Sequence, residues 1–284
     1  MLVVGAGVIG LEYASILAAL GGEVTVIDQH PSLLDFVDRE IVAMLFYALR
    51  REGVTFRLGE KVVSVALDDQ DRVAARLESG KHVHGDALLY AVGRQGNADR
   101  LNLEAAGLTA DARGRISVNG QFQTAIPHIY AAGDVIGFPA LAATSMEQGR
   151  LAARHIFGAA AVSTPELLPY GIYTIPEISM VGQTEEQLTA ARVPYEVGVA
   201  RYEEVARGQI VGDATGLLKL LFDPESLRLL GVHVIGENAA ELIHIGQAVL
   251  AFGGTVEYFR DTVFNYPTLA EAYKVAALNG LNKL

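Results

Sequence analysis

Met1-Leu2-Val3-Val4-Gly5-Ala6-Gly7-Val8-Ile9-Gly10-Leu11-Glu12-Tyr13-Ala14 is the stretch that decides the fold of this chain. Four apolar residues predict a short strand, and the glycines predict a tight turn into a helix. Gly5 permits the turn. Gly7 lets the backbone approach a pyrophosphate. Gly10 lets the helix lie close to the strand. Val8 and Ile9 occupy the helix start, where free N–H groups and the positive dipole end face a phosphate. A second apolar run, Glu23-Val-Thr-Val-Ile-Asp28, ends in an acid at the spacing where the dinucleotide fold holds its ribose. The unit reads as strand, glycine turn, helix, strand and acid. It predicts an α/β Rossmann-like dinucleotide-binding domain.

The composition limits the alternatives. The chain has 284 residues, 51% hydrophobic and 19% charged, enough for two or three compact units. A net charge of -11 without any basic run argues against nucleic acid as a partner. Cysteine is absent, so the chain holds no disulfide and no thiolate metal site. No apolar run reaches the ~18 residues of a membrane span. Gly5 and Gly7 interrupt the first apolar run, so no secretory leader is expected. A soluble, cytoplasmic protein is the expectation. The first strand has only four residues before its turn, whereas strands run ~5–6. The chain opens as if cut from something longer.

Further along, Leu11, Ile16, Leu17 and Leu20 are expected to line one helix face, with Gly21-Gly22 as the stop. Asp38 is a predicted cap for a helix carrying Ile41, Met44, Leu45, Ala48 and Leu49 at helical spacing. Short strands at Val54–Leu58, Val62–Leu67, Arg72–Leu77 and His82–His84 predict an antiparallel meander. Ala87–Ala91 reads as a buried strand returning to the parallel sheet, ending in Val92-Gly93-Arg94. Ile129–Val135 reads as a strand ending at Gly133 and Asp134, and Leu141–Phe157 as a helix. After Pro165 come strands near 170–173, 178–181, 195–201, 217–222 and 229–235. Thr184-Glu-Glu-Gln187 is a capping box, and helices are expected at 240–252 and 269–279.

Three motifs, GAGVIGLE at the start, Ala-Val-Gly-Arg at 91–94 and Tyr-Ala-Ala-Gly-Asp at 130–134, join Asn-Tyr-Pro-Thr-Leu-Ala-Glu at 265–271. In this order they resemble the flavoprotein pyridine nucleotide–disulfide oxidoreductase family over essentially the whole chain. The resemblance implies an NAD(P)-binding domain at 1–115, the second segment of an FAD-binding domain at 116–164, and an α+β dimerisation domain at 165–284. The first FAD half, with its own glycine turn, has no counterpart. Disulfide reductases of the family carry His-Pro-Thr-x-x-Glu near the end, where this chain has Tyr266. A free Tyr titrates near ~10 and a free His near ~6.5, so Tyr266 would shuttle protons poorly at neutral pH. The segment looks like that of the soluble (Si-specific) transhydrogenase branch. That branch moves hydride between NADPH and NAD through FAD. Alternatives are a dihydrolipoyl dehydrogenase-like reductase and a non-catalytic NAD-binding and dimerisation fragment.

The resemblance implies roles for single residues, each with a plainer alternative. Glu12 would reach the nicotinamide end, or only complement the helix dipole. Asp28 would accept ribose hydroxyls, or only form a turn. An acid there disfavours a 2′-phosphate, and Gln29 and His30 are its only adjacent polar neighbours. Val62 and Gly93 would line the nucleotide, or serve packing and turn geometry. Gly133 and Asp134 would meet the flavin ribitol. Tyr266 stands at the family's acid–base position, and Glu271 would orient it or cap the last helix from Thr268. His82 and His84 read as a solvated strand face rather than a metal pair. The expected cofactors are FAD, NAD and NADP, and the expected assembly is a homodimer or higher homo-oligomer.

Overall fold

The computed structural model describes residues 1–160 and 167–284. The chain divides into two compact units, Met1–Val92 with Glu166–Leu284, and Gly93–Pro165. The boundary expected at 164/165 lies outside the described residues.

The first unit opens with Leu2–Val4 (β1), Val8–Ala19 (α1) and Thr25–Asp28 (β2). Strands β1 and β2 pair in parallel, Val3 opposite Val26. The buried face of α1 is Gly10, Leu11, Ala14, Ser15 and Ala18; of the expected face, Leu11 is buried and Leu17 packs partly buried against the core, but Ile16 and Leu20 do not. A Cβ on Gly10 would lie 1.9 Å from the Gly5 carbonyl oxygen, so at that residue the helix sits too close to its strand for any side chain. Ile16 and Leu20 point outward, 41% and 79% exposed.

Arg39–Arg51 (α2) is capped by Asp38, whose side chain accepts from the Glu40 N–H. Its buried residues Ile41, Leu45, Ala48 and Leu49 follow the predicted helical spacing. Thr55–Leu58 (β3) then pairs in parallel with β2 instead of joining the meander. A strand that follows a crossover helix returns in the same direction as the one before it. The antiparallel meander is made of Val62–Leu67 (β4), Val73–Leu77 (β5) and His82–Gly85 (β6). Leu88–Tyr90 (β7) pairs with β1 and completes the parallel order β3-β2-β1-β7. It is an edge strand, less buried than expected, with Tyr90 71% exposed.

Among its described residues, the second unit has short 3-10 turns at Leu103–Ala106 and Gly133–Ile136 and one helix, Ala142–Ile156 (α3). The strand expected at 129–135 is reduced to a single bridge, Gln123 with Tyr130. Gly133 adopts a positive φ of 81°, which turns the chain out of extended geometry.

The first unit resumes with Tyr170–Ile172 (β8), Ile178–Gly182 (β9), Glu185–Ala191 (α4), Glu196–Arg201 (β10), Ala206–Val211 (α5), Leu217–Phe222 (β11) and Leu229–Ile235 (β12). Ala239–Ala251 (α6), Glu257–Asp261 (α7) and Glu271–Leu281 (α8) follow. The five strands form an antiparallel sheet ordered β10-β11-β12-β9-β8. All six residues of β11 are buried, as befits a strand inside a sheet covered on both faces. Phe259, Tyr273, Ala276 and Val249 join its side chains in one core. The Tyr273 hydroxyl donates to the Leu242 carbonyl at 2.8 Å and accepts from the Gly246 N–H at 3.1 Å. It thus binds both ends of one turn of α6, whose Leu242 and Gly246 are four residues apart.

The other core combines Val3, Val26, Ile41 and Leu45 with Ile172, Ile178, Leu217 and Ile235, so the parallel and antiparallel sheets share one interior. An ionic cluster closes this junction. Lys219 on β11 is fully buried, and its Nζ lies 2.9 Å from Asp38 Oδ1 and 2.9 Å from Glu40 Oε2, with Glu185 as a third partner. Burial works against the ammonium, but the bonds to Glu185, Asp38 and Glu40 outweigh it and raise its pKa. The neighbouring His233 is fully buried, and burial pushes its pKa down. Its Nε2 is 2.9 Å from the Gln183 carbonyl, so Nε2 carries the proton. Burial also opposes the Asp38 charge, but a protonated His233 and the Lys219 ammonium with its hydrogen bond lower the carboxyl pKa. With His233 neutral, Lys219 is the charge that keeps Asp38 ionised. Among the described residues, no helix is long and apolar enough to cross a membrane.

Candidate functional site

The glycine turn is built by three different demands. Gly5 has a φ of 106°, and a Cβ there would meet the Ala91 carbonyl oxygen at 2.4 Å. Only glycine satisfies both conditions. Gly10 is fixed by its contact with the Gly5 carbonyl, as described above. Gly7 is different: a Cβ there would meet nothing within 4 Å, and its φ of -74° suits any residue. No protein contact requires glycine at position 7.

The Ala6 N–H, in the middle of the turn, donates to Asp28 Oδ2 at 2.5 Å. The acid at the end of β2 is therefore joined directly to the turn. Asp28 Oδ1 accepts the His30 N–H at 2.8 Å and faces the His30 ring Nδ1 at 3.2 Å. Leu11 N–H bonds to the Gly7 carbonyl at 3.0 Å, which starts α1 at the turn. The N–H groups of that first turn have no intrahelical carbonyls to serve. Val8 is partly buried and Ile9 40% exposed.

Glu12, one turn into α1, accepts the backbone N–H of Tyr173 at 2.8 Å through Oε1. It thereby ties the nucleotide-type turn to the end of β8. Nothing in the sequence around Glu12 signals this bond, because its partner lies 161 residues away. Val62 begins β4 opposite Leu77, next to an irregularity in the register.

In the second unit, Gly93 has a φ of 95° with open space at its Cβ position. The Gly133 N–H donates to the Gln148 side chain at 2.7 Å. Asp134 Oδ2 pairs with the Arg94 guanidinium at 2.7 Å, both partly exposed. Arg94 was visible in the sequence only as the end of a turn motif, and the ion pair gives it a site.

Tyr266 is 72% exposed in the loop before α8, and Thr268 Oγ1 donates to the Asn265 carbonyl at 2.7 Å. The Thr268–Glu271 capping box does not form, since α8 starts one residue after Ala270 and has no side-chain cap. Glu271 Oε2 is instead buried without a hydrogen-bond partner. His82 and His84 are exposed on β6, with His84 Nδ1 3.1 Å from Asp68. The one carboxylate group among the described residues with metal-like spacing is Asp38, Glu40 and Glu185, and the Lys219 ammonium already bonds all three.

The model of the pyridine nucleotide-disulphide oxidoreductase family matches residues 1–149, and that of its dimerisation domain matches residues 168–277. A soluble pyridine nucleotide transhydrogenase of Mycobacterium tuberculosis (strain ATCC 25177 / H37Ra) is 58% identical over 284 residues, covering 100% of this chain and 60% of the relative. One from Enterobacter sp. (strain 638) is 52% identical over 288 residues, covering 100% of this chain and 62% of the relative. The chain thus spans about three fifths of the length of these curated relatives. Among solved structures, the HOCl-induced flavoprotein disulfide reductase RclA from Escherichia coli superposes with a TM-score of 0.91 at 29% identity, covering 97% of this chain and 64% of that one. LpdA from Mycobacterium tuberculosis gives 0.90 at 26% identity, covering 97% and 60%.

Proposed function

Because the chain belongs to the pyridine nucleotide-disulphide oxidoreductase family, we propose that it is the nucleotide-binding and dimer-forming part of an FAD-dependent pyridine nucleotide transhydrogenase. The observation that carries this reading is the glycine turn bonded to Asp28, with position 7 left small although no protein contact demands it. A nicotinamide dinucleotide fits it. Its pyrophosphate would face the start of α1 beside Gly7, and its adenine ribose would face Asp28. FAD fits the second unit in part, where Gly133 and Asp134 offer a turn and a hydroxyl acceptor beside Arg94. In this reading residues 1–115 bind NAD(P), 116–164 complete a flavin domain, and 165–284 pair two copies of the chain in the cytoplasm.

FAD, when bound, supplies the two-electron relay between NADPH and NAD. This chain's residues bind and orient. Glu12 holds the Tyr173 backbone with one oxygen and keeps the other for the nicotinamide end. Tyr266 supports the reaction class. A transhydrogenase has no thiol to protonate, so a phenol at the family's acid–base position costs it nothing.

Calorimetry with NAD+ tests the nucleotide site. The chain should bind NAD+, and Gly7→Val should fold normally yet bind at least ~10-fold more weakly, since the added side chain meets ligand rather than protein. Equal affinity in Gly7→Val would remove the pyrophosphate from this turn.

A further inference from the structure

A transhydrogenase must accept NAD(H) and NADP(H), yet Asp28 presents a carboxylate where a 2′-phosphate would come. We infer that His30 resolves this conflict: as an imidazolium seated on Asp28, it binds the 2′-phosphate and makes NADP(H) recognition proton-dependent. The inference rests on the nucleotide site proposed above and adds the residue that sets its specificity.

Asp28 is well occupied by protein groups. Oδ2 takes the Ala6 N–H at 2.5 Å, and Oδ1 takes the His30 N–H at 2.8 Å with the ring Nδ1 at 3.2 Å. The Asp28 side chain is 16% exposed and that of His30 64% exposed, so the imidazole stands between the acid and solvent. A carboxylate has about four lone-pair sites, and these contacts leave about one for a ribose hydroxyl. NAD needs no more than that.

A 2′-phosphate needs a donor and a cation. The neutral ring with Nδ1–H toward Asp28 offers its Nε2 only as an acceptor, which repels phosphate oxygens. Protonation at Nε2 turns that atom into a donor and places a positive charge between the two anions. Binding of the phosphate would therefore take up one proton at Nε2. Histidine is the side chain suited to such a change near neutral pH.

The other charged groups around this corner are otherwise engaged or turned away. Gly59 and Glu60 bond their N–H groups to the His30 and Asp28 carbonyls. The Glu60 carboxylate is held by Ser79 and Lys81, and that of Asp35 by Ser32. Arg57 lies level with Ile27, while Leu58 lies level with Asp28. Side chains alternate along a strand, so Arg57 faces away from the Asp28 side. Lys61, at the start of the turn into β4, is the remaining cation on these segments.

Calorimetric titration of the chain with NAD+ and with NADP+, at pH 6.5 and 8.5, isolates the phosphate. Histidine gains its charge toward the lower pH, so the NADP+/NAD+ affinity ratio should fall by about tenfold or more from pH 6.5 to 8.5. His30→Gln should lower the ratio at pH 6.5 by about tenfold and flatten its pH dependence. His30→Arg should keep the ratio high at both values. It also reports the phosphate's own titration, with a second pKa of about 6. An unchanged ratio in His30→Gln, or a pH-dependent fall that persists in His30→Arg, overturns the inference. Binding of NAD+ without NADP+ at either pH overturns it and spares the nucleotide site. If neither nucleotide binds, the site itself is refuted and the inference with it.

Discussion

Replacing Lys219 by Met should unseat the junction between the two sheets. The ammonium is fully buried, and so is its partner Asp38, at 1% side-chain exposure. Glu40 and Glu185 are 45% and 31% exposed and can turn toward water. Asp38 cannot, so it decides the cost. Removing one partner of a buried ion pair costs about 3–5 kcal/mol, and Met keeps the apolar stem packed, which favours the lower end. At ~2–4 °C per kcal/mol, a loss of about 3–4 kcal/mol lowers Tm by roughly 6–16 °C. The pH dependence carries the diagnosis. In the native chain the Asp38 pKa is lowered, so its contribution is present above the unfolded value of ~3.9 and lost as pH falls through the folded one. Without Lys219 the buried carboxyl moves above its unfolded value, and the variant gains relative stability as pH falls. The gap between the two melting curves, measured by circular dichroism, should be widest at neutral pH and close toward pH 4. Adding Asp38→Asn should recover at least half of it. A neutral-pH loss below ~1 kcal/mol, or a gap of constant width, would refute the view that Lys219 neutralises a sealed carboxylate.

Other outcomes follow from single residues. His233 has a lowered pKa because it is buried, so its protonation in the unfolded state should erode stability as pH falls below ~6.5. His233→Gln should flatten Tm between pH 7 and 5, and parallel slopes would clear His233. The purified chain should be colourless, because its one glycine turn is assigned to the nicotinamide nucleotide and Asp134 alone cannot hold a flavin pyrophosphate. A stoichiometric flavin spectrum would contradict this. In the complete enzyme, Tyr266→Phe should cost less than tenfold in transhydrogenase rate, under ~1.4 kcal/mol of barrier. A thousandfold loss with normal flavin content and dimer state would make the phenol a proton donor.

The sequence displays its local patterns well and its long-range contacts poorly. The βαβ opening, the Asp38 cap, the Thr184 capping box and the strands at 217–222 and 229–235 all rest on neighbours within a few residues. Hydrophobicity alone misplaces part of the buried face of α1, because the Gly10–Gly5 approach sets which side of the helix meets the strand and leaves Ile16 and Leu20 outside. Thr55–Leu58 carries no mark of its direction, which the preceding helix sets. The glycine turn and Asp28 are legible in the sequence as a candidate site. Their bond through Ala6, the His30 ring on Asp28, the Glu12 hold on Tyr173 and the Arg94–Asp134 pair are not. His30 lies only two residues from Asp28, but its ring orientation is not written in the sequence, and the other contacts need partners that only folding brings together. Lys219 was silent for a stronger reason: a lysine inside Leu-Leu-Lys-Leu-Leu reads as a strand's polar interruption until its three acids arrive from α2 and α4.

Tyr273 ties the middle of α6 to another helix. The Gly246 amide and the Leu242 carbonyl are both satisfied by a hydroxyl that belongs to α8, 27 and 31 residues further along. Opening the middle of α6 therefore breaks both bonds to the phenol, and detaching α8 breaks the same two. Amide protection in the two helices should rise and fall together. The two helices constitute one cooperative opening unit, although the chain between them includes α7 and the Tyr266 loop.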